Sequence, residues 1–82
     1  MPIQFDYSKL RGRIVEVLGT QTKFAERMGW SQRTTSLKMN GDISWRQSDI
    51  AKAIEVLNIN PSEIPIYFFK VKVQDIEQSK EA

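Results

Sequence analysis

The stretch TQTKFAERMGWSQRTTSLKMNG, residues 20–41, decides the fold. Thr20 is an N-cap residue for a helix Gln21–Met28 whose inward positions are Phe24, Ala25 and Met28. Gly29 closes that helix, because the residue just past a helix C-terminus adopts a positive φ that costs glycine nothing. Only Gly29 and Trp30 precede the next N-cap, Ser31, from which a second helix runs from Gln32 to about Met39. The turn dipeptide Asn40-Gly41 ends it. Two short helices joined by a tight glycine-containing turn make a helix-turn-helix arrangement. Its geometry puts the small Ala25 where the helices cross, Gly29 at the reversal, and Trp30 in the gap between them.

Working outward, Tyr7, Leu10, Ile14, Val17 and Leu18 recur at helical spacing behind Asp6, an N-cap residue, and Gly19 stops that helix. Phe5 and Leu10 fit a hydrophobic staple around the cap. Downstream, Ser44 and Gln47 have capping-box spacing for a fourth helix striped by Ile50, Ala53, Ile54 and Leu57, with Trp45 just inside it. Asn60-Pro61-Ser62-Glu63 starts a short fifth helix that Pro65 is expected to end, with Ile59 and Ile64 as its staple. From Ile66 to Val73 the texture changes. Phe69, Val71 and Val73 alternate with Lys70 and Lys72, which predicts a half-buried strand, and the polar residues 74–82 are expected to fray.

Composition narrows the function. At 82 residues the chain has room for one domain, divided here into 1–65 as the helical domain and 66–82 as a C-terminal extension. There is no Cys and no His, which removes disulfides, thiol nucleophiles, the commonest general base and the commonest metal ligand. No Asp/Glu cluster offers a matching ligand set, so no metal and no cofactor is expected, and an enzyme is a distant reading. The first residues show no charged region followed by an apolar one, so no secretory signal is expected. The longest apolar run, Ile66–Phe69, is far short of the ~20 residues of a membrane span, leaving the cytoplasm as the default. The net charge of +2 is uneven: residues 1–47 hold eight Lys/Arg against four acids, and residues 48–82 hold four Lys against six. A basic front suggests a polyanionic partner.

The second helix of such a pair can lie in a DNA major groove with its N-terminal residues at the base edges. This one opens with Gln32 and Arg33, which can bond adenine and guanine bidentately. Ser36 lies one turn further along, and Leu37 can meet a thymine methyl. Lys23, Lys38 and Arg46 suit phosphate by charge and position.

The residues Gln21, Ala25, Gly29, an apolar 30, Ser31, Thr34, Ser36 and Asn40-Gly41 resemble the helix-turn-helix of the phage Cro and repressor (XRE, lambda-repressor-like) family. The run from Ile50 through Asn60-Pro61-Ser62-Glu63-Ile64 resembles that family's fourth and fifth helices. The chain as a whole resembles small phage and prophage proteins of Gram-positive hosts once classed as of unknown function. The resemblance implies an all-α, compact five-helix DNA-binding domain, here with a C-terminal β-strand. It implies that Gln32 and Arg33 read bases, and that Gln21 and Asn40 hold phosphate. The function implied is a transcriptional regulator acting by operator occupancy on double-stranded DNA in the bacterial host cell. A homodimer is expected, with Ile66, Tyr67, Phe68, Phe69, Val71 and Val73 as one candidate pairing segment; the other reading packs Tyr67, Phe68 and Phe69 back on the monomer core. The family places apolar residues where Thr35 and Lys38 stand, whereas here they fall at Leu37 and Met39; either the usual register turns Thr35 inward, or the helix is rotated to bury Leu37. The alternative is a protein-interaction module on the same fold without DNA binding.

Overall fold

Thr20 Oγ accepts from the Lys23 N–H at 3.1 Å and Ser31 Oγ from the Thr34 N–H at 3.0 Å, so the two central helices start where their caps dictate. In the computed structural model, which describes residues 4–72, these are α2 (Gln21–Met28) and α3 (Gln32–Met39). They follow α1 (Ser8–Leu18) and precede α4 (Gln47–Leu57) and α5 (Ile64–Phe68), the last entered through a 3₁₀ turn at Pro61–Glu63. Among the described residues the architecture is all-α with five helices, as the sequence predicts. α1 packs against α2, α4 and α5, while α4 packs against α2.

Gly29 has φ +77°, and the Trp30 N–H reaches back to the Ala25 carbonyl at 2.9 Å, closing α2 in the left-handed cap expected of it. Leu10, Phe24, Met39, Ala53, Leu57 and Phe68 form the most deeply buried part of the core. Tyr7 is also buried, and burial raises its phenol above the ordinary value. An aromatic cluster lies beside that core. Trp45 has its ring 5.4 Å from Trp30 and 5.1 Å from Phe68, both edge-on.

Helix α3 takes the usual register. Thr35 is wholly buried, and its hydroxyl donates to the Ser31 carbonyl at 2.9 Å, so a polar residue occupies an apolar slot with its hydrogen bond satisfied. Lys38 also turns inward. Its Nζ donates to Asp49 Oδ2 at 2.9 Å and to the Ser44 carbonyl at 3.0 Å, and lies 5.2 Å from the Trp30 ring centroid. The side chains of the ion pair are only 8% and 15% exposed.

Several expectations are corrected. α4 begins at Gln47 and not around Ser44; the first-turn acceptor is Asp49, which takes the Arg46 N–H at 2.9 Å, and Trp45 lies in the loop before the helix. Val17 is exposed, and Phe5 stacks edge-on against Phe69 with centroids 5.8 Å apart while remaining exposed itself. Pro65 does not end the fifth helix but sits in its first turn, where a missing N–H costs nothing. The segment Ile66–Phe68 is therefore helical, and Tyr67 and Phe68 are buried in the chain's own core, unavailable as a dimer strand. What remains of the strand is one antiparallel bridge, Phe5 to Val71. Val73 and the tail 74–82 lie outside the described residues.

Desolvation pushes the Asp49 carboxyl up, but the hydrogen bonds from Lys38 and the Arg46 N–H, with the charges of both residues, hold it below the usual carboxylate value. A carboxyl lowered by folding contributes stability that is complete above its unfolded pKa of about 4 and lost as pH falls through the lower folded value. Lys38→Met should cost about 2–3 kcal/mol in urea unfolding at neutral pH, because it leaves a largely buried carboxylate without its cation. Adding Asp49→Asn, which keeps an acceptor for the Arg46 N–H, should recover more than half of that loss. Asp49→Asn should also flatten the fall of stability with acid below about pH 4.

Candidate functional site

Helix α3 exposes Gln32 and Arg33 in its first turn and half-exposes Ser36 and Leu37 one turn later. These spacings bring the expected base-reading residues onto one side of the helix. The Gln32 amide donates to Thr22 Oγ at 3.0 Å, and the Gln21 amide donates to Ser36 Oγ at 3.4 Å. Both bonds tie the start of α2 to α3. The exposed Arg33 side chain makes no hydrogen bond or ion pair among the described residues. Lys23 flanks it on α2 and Arg46 precedes α4, both exposed.

Two of the expected phosphate partners are committed to other work. Lys38 belongs to the interior, because position 38 faces α4 and the carboxylate of Asp49 compensates its charge. Asn40 is exposed, but its side-chain oxygen accepts from Arg11 Nη2 at 3.0 Å. The same guanidinium nitrogen donates to the Met39 carbonyl at 3.0 Å, so Arg11 closes the C-terminal end of α3. Arg13 performs the equivalent task on α4, donating to the Leu57 and Asn58 carbonyls at 3.0 and 2.9 Å, with Glu16 beside it at 3.3 Å. Sequence reasoning missed both arginines. Their partners lie some tens of residues downstream, and no local spacing announces them.

No described group of three His, Cys, Asp or Glu residues could hold a metal ion. None of the described helices is long and apolar enough to cross a membrane. The face carries polar and apolar groups around the exposed Arg33 guanidinium.

Residues 3–71 match the model of a protein family of unknown function, DUF739. The chain belongs to that family. Among solved structures it is similar to the solution structure of the modulator of repression (MOR) of the temperate bacteriophage TP901-1 from Lactococcus lactis. The two are 51% identical over 87% of this chain and 96% of that one, with a TM-score of 0.74. No curated protein matches. The likeness to small phage proteins once classed as of unknown function is thus borne out.

Arg11→Ala should speed amide hydrogen exchange in the last turn of α3 by roughly tenfold while leaving α2 unchanged, since it removes bonds only from the α3 end. Uniform acceleration across all helices would show that Arg11 supports the whole fold instead.

Proposed function

We propose that this DUF739 protein regulates phage repression by binding a repressor protein through the exposed side of α3. The observation that carries this reading is the 51% identity, over most of both chains, to a phage modulator of repression. The chemistry of the face supports it. With Lys38 buried and Asn40 held by Arg11, the cations near α3 reduce to Arg33, Lys23 and Arg46. Duplex DNA carries about one negative charge per 1.7 Å, and proteins that grip it neutralise many phosphates at once. So few cations, with Arg33 beside a half-buried leucine, are better suited to a protein surface, where Arg anchors and apolar contacts concentrate the binding energy. Binding that differs between the repressor's operator-bound and free states then shifts operator occupancy by that difference.

One observation favours a second reading. α2 and α3 are separated by three residues, and Gln32 and Arg33 open α3 exposed, as in a helix-turn-helix that reads DNA directly. In that case Gln21, Lys23 and Arg46 serve as phosphate contacts.

Calorimetric titration of the purified chain with the cognate phage repressor, and separately with an operator fragment, distinguishes the two. The protein reading expects saturable repressor binding, weakened about tenfold or more by Arg33→Ala, and no operator binding beyond the weak sequence-independent level. Operator binding alone, with Arg33→Ala relaxing specificity at one base and Lys23→Ala weakening all sequences alike, would establish the second reading and overturn the first.

A further inference from the structure

The sequence alternation Phe69, Val71, Val73 is that of a strand with one buried face, yet Phe69 is 48% and Val71 is 51% exposed. Asp6 N–H donates to the Lys70 carbonyl and Lys72 N–H to the Gln4 carbonyl, each at 2.7 Å. These bonds flank Phe5 and Val71, which makes them a non-hydrogen-bonded antiparallel pair. The N–H and C=O of Val71 therefore point away from Phe5, along the outer edge of the bridge. Among the described residues they have no backbone partner. The side chain of Phe5 joins Phe69 by an edge-on contact, so apolar surface and an unpaired strand edge occur together.

Charge decides what can cover them. Lys70 and Lys72 are exposed on either side of Val71. The adjacent carboxylate, Asp6, is turned onto Ser8, accepting from its N–H at 2.9 Å and its hydroxyl at 2.7 Å. Two copies pairing antiparallel about Val71 would set Lys70 of each opposite Lys72 of the other, and like charges directly opposed destabilise a ladder. We propose that the Val71 edge is a docking edge for an extended segment of another protein in which carboxylates alternate with β-branched or aromatic residues. The segment adds as a third strand, its acids paired with Lys70 and Lys72 and its apolar residues laid over Phe5, Phe69 and Val71. No residue of α2 or α3 takes part, so the edge stands whether or not the α3 face binds a repressor.

The test uses the full chain and a fluorescein-labelled, end-blocked heptapeptide of alternating Glu and Val, with its Lys/Val counterpart as control. The Glu peptide should bind at least tenfold more tightly at low salt, shifting the amide resonances of residues 4–6 and 69–72. Lys70→Glu with Lys72→Glu should reverse the preference. Val71→Pro removes the edge donor while proline remains tolerable on an edge strand, and it should abolish binding without lowering the melting temperature appreciably. Equal binding of both peptides, or shifts confined to other residues, would overturn the proposal. So would a dimer in sedimentation that Val71→Pro dissociates, since that would assign the edge to a second copy.

Discussion

A single ammonium group inside the protein determines how the third helix is held. Lys38 Nζ is bound by Asp49, by the Ser44 carbonyl and by the face of Trp30, which come from α4, the connecting loop and the α2–α3 turn. The same carboxylate caps the first turn of α4 through the Arg46 N–H, and the Trp45 indole donates to the Lys38 carbonyl at 3.1 Å. A purely apolar residue at position 38 could fill the space but would leave α3 free to slide and rotate against α4. Directional bonds remove that freedom. A buried ion pair adds little net stability, because desolvation consumes most of the Coulombic gain, so geometric definition is the better physical account of this one.

Helix α1 completes the constraint from the other side. Arg11 and Arg13, two residues apart on one helix, bind the C-terminal carbonyls of α3 and α4 respectively. Cations at helix C-termini also meet the negative end of the helix dipole, so each bond gains electrostatically as well as by satisfying a carbonyl. With its start capped by Ser31, its middle seated on Thr35 and Lys38, and its end closed by Arg11, α3 has little orientational freedom left.

What the sequence makes legible follows from the range of the interactions. The caps at Thr20 and Ser31 act over three residues, and α2 and α3 are accordingly read to their ends. At α4 two overlapping patterns share one spacing: Ser44 with Gln47, and Arg46 with Asp49. The second prevails because Asp49 also answers Lys38, a tertiary demand invisible in the local pattern. The tail misleads for a similar reason. Pro65 reads equally as a stop or as a first-turn residue, and only the core's need for Tyr67 and Phe68 selects the helix. Of the candidate face, Gln32 and Arg33 are legible from their place after Ser31, whereas the inward turn of Lys38 requires knowledge of what α4 presents.

The charge distribution acquires a different meaning once the partners are known. Eight cations lie in residues 1–47, a basic half that suggests a polyanion. Three of them, Arg11, Arg13 and Lys38, are consumed by helix ends and by the interior. The positive charge of this half is thus partly committed to scaffold contacts, and only Lys38 and Arg13 of the three have it compensated by a carboxylate. The cations spent on the scaffold hold one of the exposed ones, Arg33, on a helix of fixed orientation. A surface organised in this way loses little conformational entropy on binding, so a modest number of contacts can suffice for specific recognition.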